Sequence, residues 1–467
     1  MLKVASRGVI TRNKIKHALH CMGFIFVIAF MMKHVASFAE LSSKNADAWE
    51  MYGPTMYIMM SLVRFLVFLA LPQVVLNFLG LICFNAFPEK VTLKGSSLLT
   101  PLICIRIVTR GDYPQLVRDN VARNMAHCSE AGMDNFIIEV VTDKMIGFPK
   151  HRRIREIVIP STYTPKSGAM YKARALQYCL EDGVNILADN DYIVHLDEET
   201  IMTVNSIKGI INFILDGKYD FGQGLITYAN DKIVNWTTTL ADSIRVADDM
   251  GKLRAQFYFF HKPVLSWKGS YVVSRVEAEK RVSFDNGVKG SLAEDCYFAM
   301  KAYQLGCTFS FIDGEMWEKS PFTIRDYIEQ RKRWVQGLML VVLSPEISWR
   351  YKFWLSMSLY AWITMPLTVT NIVVNFFFPI PMPIWVNCIC IFCGIVNIYM
   401  YFFGMIKSIS LYRIGVFKYF LCLVGIVYTV LIATVMENIA VLKGVFGSKK
   451  TFYIVKKDSN HTCTSVA

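Results

Sequence analysis

The chain reads as an α/β domain, a mostly parallel sheet covered by helices, flanked by transmembrane and interfacial α-helices. Two observations carry that expectation. Long uncharged apolar runs at both ends raise the hydrophobic share of the 467 residues to 54% and the mean hydropathy to +0.35. Between them, about 260 residues of ordinary globular composition, enough to bury a core, alternate β-branched strand-like runs with helix-period stretches.

Taken in order, residues 1–90 form a membrane region with two transmembrane helices. Its first apolar run, 18–37, is of roughly membrane length, and it is too internal and wrongly flanked for a cleaved signal peptide. Lys3, Arg7, Arg12, Lys14 and Lys16 precede it, whereas 38–54 carries only Lys44 against Glu40, Asp47 and Glu50, so the N-terminus is expected in the cytosol. A second stretch, 55–86, contains Arg64 and Pro72 and is expected to begin at the interface and then span. Two crossings return the chain to the cytosol, which puts the middle domain there.

That domain, 91–322, has strand-like runs at 102–109, 136–142, 154–160 and 192–197, with helix-period stretches at 114–130, 169–181 and 201–215 between them. Such alternation implies parallel strands, whose ligands bind at the carboxyl ends. Residues 323–345 form an amphipathic helix, with Ile324, Tyr327, Ile328, Trp334, Val335, Leu338 and Met339 as its apolar stripe. Arg325, Arg331, Lys332 and Arg333 suit the membrane interface. Within 346–442 lie three apolar runs, 353–378, 384–405 and 416–441, before a basic tail, 443–467. Three clean spans would leave the tail outside the cytosol, yet Lys443, Lys449, Lys450, Lys456 and Lys457 argue for the cytosol. The run 353–378, with Pro366 inside it and Pro379 and Pro383 after it, is the first candidate for a re-entrant segment.

The net charge, 50 − 37 = +13, sits largely beside apolar runs, where it suits an anionic leaflet. No basic arm or helix points to nucleic acid. The 12 cysteines, many of them in apolar runs, have no spacing of a disulfide framework or zinc site.

The chemistry-bearing residues follow the strands. Ile193-Val-His-Leu-Asp-Glu-Glu199 ends an apolar strand in acids, and Asp197 and Glu199 alternate so that they can converge on one hard cation, Mg2+ or Mn2+. The plainer alternative is a solvated acidic loop opening a helix. Glu294-Asp295 opens a helix-like run, either as a carboxylate pair able to take a proton from a hydroxyl or as simple helix capping. Gln330, Arg333 and Trp334 share one helix face and offer an amide, a phosphate-binding guanidinium and an aromatic plate for a sugar ring. Resting on headgroups is the other reading of that helix.

In order and spacing these motifs resemble the processive and membrane family-2 glycosyltransferases, which include the cellulose, chitin and hyaluronan synthases. Their signature of D-x-D, a Glu-Asp pair and Q-x-x-R-W stands here as Asp197-Glu-Glu199, Glu294-Asp295 and Gln330-Arg-Lys-Arg-Trp334, with Glu199 in place of the second Asp. The resemblance covers 98–340 and implies a GT-A-type nucleotide-sugar domain. It also implies a nucleotide site at Thr109, Arg110, Asp143 and Lys172, and acceptor or diphosphate contacts from Trp267, Gly269 and Glu294 as well as Gln330, Arg333 and Trp334. Phe452-Tyr-Ile-Val-Lys-Lys457 is similar to the synthases' gating motif F-x-V-T-x-K without its Thr, a basic tail being the simpler reading. Asn460-His-Thr462 is a glycosylation sequon only if the tail is lumenal, and Asn235-Trp-Thr237 reads as a chance match.

The finer wording resembles the egghead family of invertebrate β-1,4-mannosyltransferases. It is carried by Arg106-Ile-Val-Thr-Arg-Gly111, Ile138-Glu-Val-Val-Thr-Asp143, Tyr171-Lys-Ala-Arg-Ala-Leu-Gln-Tyr-Cys179, His195-Leu-Asp-Glu-Glu-Thr200 and Glu329-Gln-Arg-Lys-Arg-Trp-Val-Gln-Gly337. That resemblance implies GDP-mannose as donor, glucosylceramide as acceptor, and a multi-pass protein of the endoplasmic reticulum or Golgi. The expected reaction is a single inverting displacement with Asp295 as base, metal on Asp197 and Glu199, and Arg333 at the diphosphate. A processive polysaccharide synthase using a UDP-sugar is the first rival. It needs a polar, aromatic channel, and the spans offer little beyond Asn371, Asn375, Asn387 and Asn397. A non-enzymatic membrane scaffold or transporter is the second.

Overall fold

The β-branched runs become the strands that carry the site. In the computed structural model, which describes residues 2–44, 48–447, 452–453, 457 and 465–466, they join a seven-stranded sheet in the order β3-β2-β1-β4-β6-β5-β7. The strands are β1 (Ile103–Thr109), β2 (Phe136–Thr142), β3 (Ile154–Val158), β4 (Tyr192–Asp197), β5 (Phe221–Thr227), β6 (Val272–Arg275) and β7 (Phe309–Trp317). All neighbours are parallel except that β6 runs against both β4 and β5. The register sets Thr109 beside Thr142 and Val108 beside Asp197, so the central strands end together.

The sequence reading finds the first four strands and misses β5, β6 and β7. Packing explains the omission. β5 is wholly buried and contains Gly222 and Gly224, where a Cβ would stand 2.5 Å from Ile312 and 2.3 Å from the Tyr271 ring. Close packing there excludes the β-branched residues that signal a strand. β6 is only 4 residues long.

The helices are α1 (Leu2–Lys44), α2 (Ala48–Phe65), α3 (Leu71–Cys83), α4 (Pro114–Glu130), α5 (Tyr171–Tyr178), α6 (Val204–Asp216), α7 (Trp236–Ala241), α8 (Ser243–Asp248), α9 (Arg254–Phe260), α10 (Val276–Val282) and α11 (Glu294–Gln304). They continue with α12 (Ile324–Leu343), α13 (Trp349–Ile363), α14 (Met365–Phe377), α15 (Ile384–Ser408), α16 (Leu411–Ile414) and α17 (Val416–Phe446). Thr203 caps α6 through a reciprocal box with Ser206, and Gly217 ends it at φ 58. Asn235 of the chance sequon caps α7, its side-chain oxygen accepting from the Thr237 and Thr238 amides.

Among the described residues, four stretches are long and apolar enough to cross a membrane: Arg12–His34, Ala48–Leu69, Ile384–Ser408 and Val416–Phe446. The second apolar stretch therefore differs from the expected 55–86. Its span ends at Leu69, and α3 is a separate helix docked on the domain. There Asn77 donates to Asp248 at 3.0 Å and accepts the Lys252 amide at 2.7 Å, while a Cβ on Gly80 would meet the Gly251 carbonyl oxygen at 2.1 Å. α15 docks in the same way, Gly404 lying against the Ser243 carbonyl.

The run 353–378 divides into α13 and α14, which meet at a 49° bend. Lys457 of the tail ion-pairs with Glu198 and Glu199 beside β4, which places tail and domain on one side of the membrane. Four crossings, without the bent pair, are compatible with that contact. α12 also departs from expectation. Arg331 is 2% exposed and paired inside the protein, so this residue does not face headgroups.

Beneath the sheet ends lies a buried ionic network. Arg106, 1% exposed, donates to Glu139 at 2.8 and 3.0 Å and lies 3.4 Å from Glu279. His195 stands 2.6 Å from Glu279, and Arg155 donates to Glu139 at 2.8 Å. The network ties β1, β2, β3, β4 and α10 together. Arg106→Leu is expected to destabilise the fold by about 3–5 kcal/mol, because it strands buried carboxylates without their cation. Thermal unfolding of the detergent-solubilised protein checks this, and an unshifted melting temperature would deny the network that role.

Candidate active site

A cavity of about 1720 Å3 opens at the carboxyl ends of β1 and β4. After Asp197 the chain turns, the Thr200 amide donating to the Asp197 carbonyl at 3.0 Å. α4 holds the turn: Asn120 donates to the Glu198 carbonyl at 2.8 Å and Asn124 to that of Thr200 at 3.1 Å. The Thr109 hydroxyl donates to the Glu198 carboxylate and accepts the Gly111 amide at 3.0 Å.

Lys172, in the first turn of α5, donates to Asp197 at 2.5 Å and to the Gly269 carbonyl at 2.9 Å, and lies 4.0 Å from Glu294. Asp295 begins α11 with one oxygen accepting the Cys296 amide at 2.7 Å. A Cβ on Gly269 would approach the other Asp295 oxygen at 3.2 Å and Lys172 Nζ at 3.3 Å, so glycine keeps this junction open. Tyr171 and Tyr271, which flank Lys172 and Ser270, hold positive φ angles of 54° and 53°. Strain of this kind collects where the surrounding structure must fix a side chain.

The charges interact strongly. Burial works to raise the Asp197 carboxyl, but Lys172, Lys457 and Arg333 hold it below its ordinary range. Burial lifts Glu199 above its range against the pull of Lys457, which it meets at 2.5 Å. Glu294 is pushed to about 7, first by burial and then by the like charge of Asp295; Asp295 itself is raised, again chiefly by burial. Glu318, which accepts from the Thr200 hydroxyl at 2.7 Å, is also pushed to about 7 by burial and by Asp197 and Glu199. Burial opposes the charge of Lys172 and Lys457, yet the surrounding acids raise both.

On the other wall, Trp334 is faced by two guanidinium groups, Arg331 at 4.2 Å and Arg245 at 4.9 Å from its ring. Gln330 accepts from Arg331 at 2.7 Å, and Arg333 lines the cavity near enough to Asp197, Glu294 and Asp295 to act on all three. Trp267 touches the cavity but belongs to the core, 8% exposed and edge-on to Phe309 at 5.1 Å. Asp143 and Arg110 line the rim, paired to Arg174 at 2.9 Å and Asp112 at 3.6 Å. The side chain of Phe452 and the whole of Ile454, Val455, Lys456 and the sequon Asn460-His-Thr462 lie outside the described residues; of that motif, Lys457 reaches the acids.

Asp197 and Glu199 are hard oxygen donors on alternate residues, a set that suits Mg2+ or Mn2+ completed by phosphate and water. Among the described residues no larger group of His, Cys, Asp and Glu is arranged as a metal cage. Each of the two is held by a lysine, so a cation here would compete for them with Lys172 and Lys457.

The wall then passes from Asp295 and Trp334 to the membrane helices, where Arg64 donates to Asn387 at 2.9 Å and Asn375 and Asn397 also face the cavity. Sequence reasoning missed Glu198, Arg245 and Glu318 here. Glu318 directly follows β7, so recognising that strand would have exposed it; Arg245 carries no local signal.

Residues 192–436 match the family Glycosyl transferase family group 2. The chain is 57% identical to the β-1,4-mannosyltransferase egh of Drosophila melanogaster, over 95% of this chain and 97% of that one. It is 52% identical to the β-1,4-mannosyltransferase bre-3 of Caenorhabditis elegans, over 95% and 98%. A mannosyltransferase from Pyrobaculum calidifontis, solved with GDP-Man and Mn2+, aligns at 11% identity and a TM-score of 0.46, covering 83% of this chain and 100% of that one. With the motifs in register around one cavity and likeness running nearly end to end, the chain belongs to glycosyl transferase family group 2 and, within it, to the β-1,4-mannosyltransferase family of egh and bre-3, its GT-A-type domain being that of a glycosyltransferase.

Proposed function

We propose that the protein transfers mannose from GDP-mannose to the glucose of glucosylceramide, forming a β-1,4 bond in one inverting step at the cytosolic face of the endoplasmic reticulum or Golgi. One observation above all supports a lipid acceptor: a single cavity joins Asp295 and Trp334 to the membrane helices. The names of the relatives support mannose, and the basic flank of the first span supports the cytosolic face.

In this mechanism the acceptor sugar rests on Trp334 and its hydroxyl gives its proton to Asp295. The freed oxygen bonds to the anomeric carbon while the opposite bond, to the diphosphate oxygen, breaks, and GDP leaves with that electron pair. Arg333, Lys172 and Lys457 offset the charge of the diphosphate. Thr109, Arg110 and Asp143 hold the nucleotide. Asp197 and Glu199 would hold Mg2+ or Mn2+, which supplies Lewis-acid neutralisation of the leaving group when bound. The asparagines of the membrane wall give some support to a longer saccharide, as in a processive synthase; product size from labelled donor separates the two readings.

Asp295→Asn is expected to lower transfer of labelled mannose by about a hundredfold or more while donor binding persists, since only proton removal is lost. Transfer near the wild-type rate would remove Asp295 as base. Because Asp295 must be ionised and burial raises its carboxyl, kcat/KM should rise with pH along a limb lying above the ordinary value of about 3.9. A flat profile down to that value would contradict the assignment. Titration with Mn2+ followed by electron paramagnetic resonance, with donor present, should show a bound ion that Asp197→Asn and Glu199→Gln each weaken by about tenfold or more. Unchanged binding in both variants would place the ion elsewhere.

A further inference from the structure

α17 is a 31-residue apolar helix whose only acid is Glu437. A carboxylate in such a helix is costly, and it is kept where it has partners and a task. Glu437 has three donors. One oxygen accepts from the Tyr327 hydroxyl at 2.7 Å and Arg331 Nε at 3.0 Å, and the other from Trp362 Nε1 at 3.1 Å.

Through Arg331 the contact reaches the cavity. The remaining nitrogens of that guanidinium donate to Asp242 at 2.5 Å and Gln330 at 2.7 Å, and its plane lies 4.2 Å from the centre of the Trp334 ring. Gln330, Trp334 and Trp362 all line the cavity that also holds Asp295. One carboxylate on a membrane helix thus fixes Trp362 directly, and Gln330 and Trp334 through a single arginine.

We propose that Glu437 is a positioning residue for the acceptor: it sets the aromatic wall formed by Trp334 and Trp362 against which the acceptor sugar is held. The proposal rests on the reading of Trp334 as the acceptor's plate. The cavity wall is made by Trp334 and Trp362 and not by Glu437 itself, so the loss of Glu437 should appear in acceptor affinity.

The test is steady-state transfer with acceptor and donor varied separately. Glu437→Gln keeps an oxygen able to accept from Tyr327 and Arg331, but its amide NH2 cannot accept from Trp362. It should raise the acceptor KM by about three- to tenfold, the loss of one charge-assisted hydrogen bond, and leave the donor KM within about twofold. Trp362→Phe removes the same bond from the other side and should also raise the acceptor KM, again with the donor KM within about twofold. Trp362→Phe leaves the carboxylate paired with Arg331, which keeps the test open if Glu437→Gln fails to fold. An unchanged acceptor KM or equal changes for donor and acceptor would overturn the proposal. Absence of any sugar transfer by the wild-type protein would instead overturn the functional reading beneath it.

Discussion

Like charge crowded at the ends of the strands is the constraint on which the rest of this structure turns. Asp197, Glu198, Glu199, Glu294, Asp295 and Glu318 all line one cavity, and burial pushes several of them above their ordinary range. Such a cluster is tolerable only with cations delivered to it. Lys172 comes from α5, Arg333 from α12, and Lys457 from the far end of the chain. The acids come from the strand ends, the turn after β4 and the first turn of α11, and the counter-charge from α5, α12 and the tail. The pairing of Lys457 with Glu198 and Glu199 keeps that part of the tail beside the domain.

Close backbone contact makes the membrane region and the domain one packed unit. Gly80 meets Gly251, Gly404 meets Ser243 and Gly337 meets Ala293, each at a distance that any larger residue would violate. Gly444 sets α17 against Val335 of α12. An Arg331–Glu437 ion pair lies on the same α12–α17 seam. Contacts so short transmit position: a shift of α15 or α17 moves α8 or α12 with it, and α12 carries Gln330, Arg333 and Trp334.

Much of this was legible from residue order. Period and β-branching gave β1 to β4 and the helices between them, and the spacing of Asp197, Glu294-Asp295 and Gln330–Trp334 gave residues that do share a cavity. What escaped did so for physical reasons. A fully buried strand packed through Gly222 and Gly224 does not look like a strand. Trp267 lines the cavity while most of its ring packs into the core, a double setting that sequence does not reveal. Arg331 reads as one more basic residue on an amphipathic helix until Asp242 and Glu437, distant in sequence, are seen to enclose it. The two short helices α13 and α14 read as one apolar run because hydropathy records composition and is blind to a 49° bend.

The pairing of Lys172 with Asp197 and of Lys457 with Glu199 bears on how such a site can both bind and release a diphosphate. On the functional reading above, lysines and a divalent ion are alternative partners of the same carboxylates, and the diphosphate is an alternative partner of the same lysines. Entry of a donor with a metal would then exchange ion pairs among groups that already carry charge in the cavity. An exchange costs less than the desolvation of an isolated dianion, because each charge gives up one partner as it gains another. Lys172 is held by the Gly269 carbonyl and the first turn of α5, whereas Lys457 reaches Glu199 from the tail.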